Sequence, residues 1–366
     1  MEKKLWAAVM ALLLLVEGCA MRGEPAPESS PSAPAAGTSA SAEPETPESP
    51  VKEQSASSAP TADPTPESSP SPEVPQKPEQ EAAPVPESQP GPSASAQFTK
   101  VEVGVDGTFA YGVFALDSEG DLCFYTGDGA GTPVATQVRD FSATASGFYV
   151  LQENGDLYFS ETGNYQEDQP LTLLYRNSDA RRISDSVLTL ADGSLLSYNG
   201  ETSSWDPVDV EAVQVDAGYF GAAVIDAGGV LWRLDRESGA LTQIAEDVIH
   251  CSYADRNKVY YSDDLWYVTA DNTLHLYQTQ PQAEAAAFPE EVSAVSGCYG
   301  QYLVVLTDGS TLYGGLDAAP ADAGVESRAV DLFGIYCAIL DGSGEIRFGT
   351  LQPGQGLEET LWVAHP

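Results

Sequence analysis

ENGDLYF, residues 153–159, is the stretch whose reading decides the fold. Asn154-Gly155 is a turn pair, and the run Asp156, Leu157, Tyr158, Phe159 after it alternates like a strand. Asn-Gly beside an alternating apolar run signals a β-hairpin, and a two-residue type I′ turn needs positive φ at both centres. The signal recurs as SEGDLCF (118–124), ADGSLLS (191–197), AGGVLWR (227–233), ADNTLHL (270–276), TDGSTLY (307–313) and GSGEIRF (342–348). The turn residues Gly120, Gly155, Gly193, Gly229, Asn272, Gly309 and Gly344 are spaced 35, 38, 36, 43, 37 and 35 residues apart. Seven copies at near-constant spacing make an internal repeat.

Each copy extends upstream. An apolar strand precedes every turn, as in YGVFALD, FYVLQE, GAAVIDA and YLVVLT, and before most of these lies another strand-like piece such as VEVGVDG, AVQVDAG or AVDLFG. The unit reads strand, turn, apolar strand, tight hairpin, strand, polar loop. The sole hint of helix is AEAAAF (283–288). A four-stranded antiparallel sheet with short strands and turns needs about 35 to 45 residues. An isolated sheet cannot cover both of its faces, but sheets stacked radially cover each other. The expectation is an all-β domain over residues 98–366, a seven-bladed β-propeller with ~37 residues per blade. ETLWVAHP (359–366) is an extra strand placed to close the ring against the blade that begins near Phe98. An open β-solenoid is the alternative, but its coils are shorter and these units contain hairpins.

The repeats resemble those of the regulator of chromosome condensation family. The seventh copy, AVDLFGIYCAILDGSGEIRFGTLQPGQGL (329–357), carries the resemblance most fully through Phe348-Gly349 and Gly354-Gln355-Gly356-Leu357. The histidine common after the family's glycine is absent, replaced by residues such as Phe148, Phe220, Tyr299 and Tyr336. The resemblance implies a propeller and a protein-interaction role. It does not imply nucleotide exchange or chromatin binding.

The N-terminal quarter is different. Lys3 and Lys4 precede an unbroken apolar run of 12 residues, Leu5 to Val16, which matches a signal-peptide core and is too short to span a membrane. VEGCA (16–20) follows and resembles the lipobox of bacterial lipoproteins, with Glu17 the unusual position. Residues 1–18 are therefore expected to be a lipoprotein signal peptide and Cys19 the lipidated N-terminus; ordinary cleavage and secretion is the alternative. Acyl chains contribute ~0.8 kcal/mol per buried CH₂, so two or three anchor stably where one is marginal. Residues 20–97 contain no Phe, Tyr or Trp and hold 18 of the 26 prolines. Such a segment cannot bury enough apolar surface to offset chain entropy and is expected to be disordered. As a Pro/Ala/Ser/Glu linker, 19–97 would act as a stalk spanning roughly 50 Å as a coil and up to about 240 Å fully extended.

Residues 98–366 carry 41 Asp and Glu against 11 Lys and Arg, a formal net charge of −30. That surface repels phosphate backbones and disfavours nucleic acid as a partner. Three histidines, His250, His275 and His365, lack metal-ligand spacing, and no G-x-S-x-G elbow or phosphate-binding Gly loop occurs, so no metal or cofactor is expected. A hydrolase would use paired carboxylates, with Asp140, Asp226, Asp263 and Asp264 as candidates by number alone. Cys298 and Cys337 fall 39 residues apart at nearby repeat positions, so they are the best disulfide candidates; burial as small apolar groups is the alternative. Phe148, Tyr149, Tyr219, Phe220, Tyr299, Tyr302 and Tyr336 recur at one repeat phase. They form either an aromatic rim gripping a ligand or packing between blades. Together these features describe a lipid-anchored extracytoplasmic lipoprotein, a monomeric propeller binding protein or glycan at the cell surface without catalysis.

Overall fold

The computed structural model describes residues 96–105, 111–127, 129–144, 147–160, 165, 170–253, 264–278, 283–316, 318–352 and 356–365. All lie in the second of the chain's two units, Gln80–Pro366. The expected signal peptide, Cys19, nearly all of the stalk and Asp263 lie outside the described residues.

Every element described is a β-strand, and every pairing is antiparallel between sequence neighbours. Three sheets have four strands and two have seven. In each seven-stranded sheet one long strand, Ser204–Ala217 or Ala318–Phe333, is the last strand of one ladder and the first of the next. Divided there, the described residues form seven consecutive four-stranded ladders. In order they are Phe98–Ala135, Val138–Arg176, Ala180–Glu211, Ala212–Ala245, Val248–Ala287, Val292–Glu326 and Ser327–Ala364.

The ladders bury their faces against each other. Seven buried clusters fill the seams, each drawn from two consecutive ladders, and one joins the seventh ladder to the first. In that seam Phe98, Val101 and Tyr125 meet Phe348, Trp362 and Ala364. The C-terminal strand Gly356–Ala364 hydrogen-bonds within the seventh ladder, and Trp362 and Ala364 pack on the first. Closure is thus by face packing and not by a shared strand. Coverage on both faces explains why second strands such as Gly221–Asp226 read as continuous apolar runs, with burial instead of alternation. Each buried Leu, Val or Phe contributes about 1.5–3 kcal/mol relative to exposure.

A belt of hydrogen bonds links the first strands. Each carries one polar residue at an equivalent position, Glu102, Ser142, Ser184, Asp216, Ser252, Ser296 and Asp331, flanked by non-polar residues except at Ser184, which Asp185 follows. Each accepts from a backbone N–H of the next ladder: Glu102 from Ala143 (2.6 Å), Ser142 from Asp185 (2.8 Å), Ser184 from Ala217 (2.8 Å) and Asp216 from Tyr253 (2.8 Å). Ser252 accepts from Gly297 (3.2 Å), Ser296 from Leu332 (2.9 Å), and Asp331 from Val103 (2.7 Å) across the closing seam. Every donor is one residue past the ladder's own belt residue. First strands approach edge to edge here, and without these acceptors buried N–H groups would lack partners.

Two expectations change. The Asn154-Gly155 turn is not type I′, because Gly155 has φ +85° and Asn154 is not in the positive-φ region. Gly155 N–H donates to the Gln152 carbonyl (2.9 Å), and Asp156 N–H donates to the Asn154 side chain (2.8 Å). This is a type I turn closed by a left-handed residue. The same bond recurs at Gly120, Gly193, Gly229, Asn272, Gly309 and Gly344. A Cβ on Gly155 would lie 2.1 Å from the Asn177 carbonyl oxygen, beside the next ladder, so glycine is required twice over. AEAAAF is strand instead of helix: Ala283–Ala287 pairs with Thr273–Tyr277 as an outer strand, and Ala286 and Phe288 enter the seam. Tertiary burial overrides alanine's helix propensity there.

Candidate functional site

The ladders have two ends. At the hairpin end lie the seven equivalent turns; at the other, the turns joining first to second strands. The seven sequence-predicted aromatics separate by position relative to the latter turns. Phe148, Tyr149 and Tyr302 lie inside second strands and are buried, so they are not a rim. Phe148 packs 5.0 Å from Phe114, Tyr149 4.6 Å from Phe159, and Tyr302 5.4 Å from Trp266. Tyr336 begins a second strand and stacks on Tyr111 across the closing seam at 3.9 Å. These four serve packing. Tyr219, Phe220 and Tyr299 sit in the turns themselves and are 36–38% exposed.

Those three aromatics line one cavity of about 1200 Å³ with Tyr198, Arg233, Arg236 and Gly300. Four carboxylates, Glu201, Asp235, Glu237 and Asp264, share its wall. Buried or half-buried charged groups hold the aromatic turns. Arg236 donates to the carbonyls of Gly218 (3.2 Å) and Tyr219 (3.0 Å) while pairing with Asp185 of the preceding ladder (3.2 Å). Asp264 accepts from the N–H of Gly300 in the next ladder (3.2 Å) and from Gln278 (3.1 Å). Tyr299 itself has φ +51°, the left-handed region that costs a bulky residue about 1–2 kcal/mol. The Ser238 hydroxyl and amide donate to Asp235 and hold its carboxyl below the usual range.

The opposite mouth differs in sign. Each first strand carries a bulge, at Thr99, Arg139, Arg181, Val213, Ile249, Ser293 and Arg328. Bulges re-aim side chains. Arg139 and Arg181, with Lys100, Arg182 and His250, line a cavity of about 630 Å³. Lys100 pairs with Asp140 (2.7 Å) and Glu102 (3.0 Å). Burial works against its charge, but the two carboxylates more than offset this and raise its pKa.

The candidate catalytic carboxylates hold structure. Asp140 also accepts from Ile183 N–H (2.9 Å) and Phe141 N–H (2.9 Å). Asp226 accepts from Gly228, Val230 and the Trp232 indole at 2.8–3.0 Å; the indole bond leads in lowering its pKa. His250 bonds the Val292 carbonyl (2.9 Å), His275 stacks on Tyr267, and His365 meets Glu345 (3.1 Å), so the three histidines are not gathered. Among the described residues no group of His, Cys, Asp or Glu is arranged to hold a metal ion. Cys298 and Cys337 share one buried seam as free thiols, the alternative that the sequence left open. The Cys298 thiol accepts from Gly334 N–H (3.3 Å), and burial pushes the Cys337 thiol up to about 12, so both serve as small packed groups.

Sequence reasoning missed the belt residues, Arg236 with Asp185, and Ile335, which is 43% exposed in the corresponding turn of the seventh ladder. A polar residue flanked by non-polar ones in six of the seven first strands, Ser184 being the exception, was the available signal for the belt.

No protein-family model matches the sequence, the regulator of chromosome condensation family included, and no curated protein matches it. Among solved structures, human WBSCR16 superposes with a TM-score of 0.50 at 12% identity, covering 65% of this chain and 84% of that one. BamB from Moraxella catarrhalis gives 0.43 at 13% identity, covering 73% and 88%. YCF48 bound to D1 peptide gives 0.49 at 8%, covering 71% and 94%. At 12% identity the likeness to WBSCR16 speaks to fold and not to function. With its radial seams and sequential antiparallel sheets, the described domain is an all-β propeller.

Proposed function

We propose that this chain is an extracytoplasmic lipoprotein, anchored through acyl chains on Cys19, whose seven-bladed propeller is a non-enzymatic binding module for a protein. Seven ladders joined by seven seams and a seven-link belt support the blade number. The apolar run Leu5–Val16 ending at VEGCA supports the anchor, and the Pro-rich composition of residues 20–97 supports the stalk. The observation that carries the binding role is the exposed trio Tyr219, Phe220 and Tyr299 around one cavity. Aromatic side chains offer large contact area at low entropy cost, and they are held here by Arg236 and Asp264 before any partner arrives. The absence of catalysis is supported by Asp140, Asp226 and Asp264, whose oxygens are engaged by backbone donors.

The test is crosslinking on intact cells with identification of the captured material, for the wild-type chain and a Tyr219→Ala/Tyr299→Ala variant. A discrete protein captured by the wild type and lost in the variant is expected. Capture of wall glycan alone overturns the protein reading. Separately, Cys19→Ser is expected to abolish acyl labelling and membrane association; retention of both removes the anchor.

A further inference from the structure

We infer that the turn-face cavity recognises a cationic side chain, lysine or arginine, presented by the partner; this rests on the binding reading above and names its chemistry. Tyr198, Tyr219, Phe220 and Tyr299 contribute aromatic surface to the cavity. Tyr219 and Phe220 meet edge to face, with centroids 4.8 Å apart and planes at 86°. Aromatic faces carry negative potential and attract an ammonium or guanidinium within about 6 Å.

Charge in the same wall points the same way. Glu201 and Glu237 are exposed and make no ion pair among the described residues. The Ser238 hydroxyl and amide donate to Asp235 and lower its pKa. Of the two arginines in the wall, Arg236 is committed to Asp185 and to the turn carbonyls. Among the described residues the wall thus holds four carboxylates against two guanidiniums, within a domain of formal charge −30. Among the described residues the other mouth holds Lys100, Arg139, Arg181 and Arg182 against the carboxylates Glu102, Asp140 and Asp216. An acidic anchor would be repelled from the turn face. A neutral apolar anchor would gain the rings but nothing from the carboxylates.

The probes are N-acetyl-lysine methylamide, N-acetyl-arginine methylamide and the neutral isostere N-acetyl-norleucine methylamide. They are titrated into the full chain labelled with fluorotyrosine and followed by fluorine NMR. Both cations are expected to shift tyrosine resonances saturably and to bind roughly 3-fold or more tighter than norleucine. Glu201→Gln with Glu237→Gln should reduce that preference and its salt dependence, Tyr299→Leu should weaken binding of both cations, and Arg182→Gln should change neither. Norleucine binding as tightly as lysine, or a lysine response indifferent to the Glu and Tyr299 changes, overturns the inference. The titration contains no partner, so its failure is separate from that of the protein reading, which only crosslinking decides.

Discussion

At one end of the ladders seven hairpin turns repeat a single solution: a type I turn, a left-handed residue, and a carbonyl bond three residues back. At the other end the first-to-second-strand turns differ in residue and conformation. Asp185-Ser186, Gly218–Phe220, Tyr299-Gly300 and Gly334-Ile335 share no side-chain pattern. Six of the hairpin turns, all but the one at Gly344, accept a backbone N–H from the start of the next ladder or the residues leading into it, so packing fixes them. In the opposite turns Tyr219, Phe220, Tyr299 and Ile335 are exposed while Asp185-Ser186 is buried, and exposed turn positions free to vary are where binding residues collect on a repetitive scaffold. Repetition here belongs to the fold, and departure from it marks the proposed binding face.

The contrast can be broken with glycines. Gly155→Ala combines φ +85° with a Cβ 2.1 Å from a backbone oxygen and is expected to cost on the order of 3 kcal/mol in denaturant unfolding. Gly300→Ala, with φ +69° and no atom nearer than 3.9 Å, should cost only about 1 kcal/mol. Equal losses would mean the two ends are not distinct. Next in size is the belt. Asp331→Ala leaves the buried Val103 N–H without its acceptor and should destabilise by about 1–3 kcal/mol, while Asp331→Asn retains an acceptor and recovers most of the loss. Smaller, and opposite in sign, is Tyr299→Gly. Relieving a left-handed tyrosine should raise stability by up to about 1 kcal/mol while abolishing capture of the partner. A loss of stability would make Tyr299 structural.

The smallest effect concerns pH. Burial lowers the pKa of His250, while its bond to Val292 and the charge of Glu291 act in the other direction. The folded state therefore disfavours protonation, and this contribution is intact above the unfolded value of about 6.5 and erodes as pH falls through it. Gln214 occupies the equivalent position one ladder earlier and donates to Cys251 O at 3.1 Å. His250→Gln should keep such a bond and lose stability less than wild type on acidification from pH 7 to 5. Parallel curves would dismiss the histidine's role.

Much of the fold was legible because hairpins are local: turn residue, alternation and spacing all sit within a few neighbours. What was hidden depended on the neighbouring ladder. Glu102 and Ser296 read as solvent-facing strand residues until the next ladder's N–H is in place. The first strands Ala180–Ser184 and Val248–Tyr253 were obscured by Arg181, Arg182 and His250, whose charge or polarity faces a mouth instead of a seam. The site was half legible. All seven aromatics share a phase, but a shift of one to three residues separates Tyr299 in a turn from Tyr302 in a strand, and strand boundaries are not written in composition.

The most direct test compares the two ends on living cells. A photo-crosslinking amino acid placed at Phe220 on the turn face, or at Glu153 on the hairpin face, reports which end is occupied. One discrete protein product is expected from position 220, lost with Tyr299→Gly, and none from position 153. The same product from both positions, or from 153 alone, would contradict that expectation.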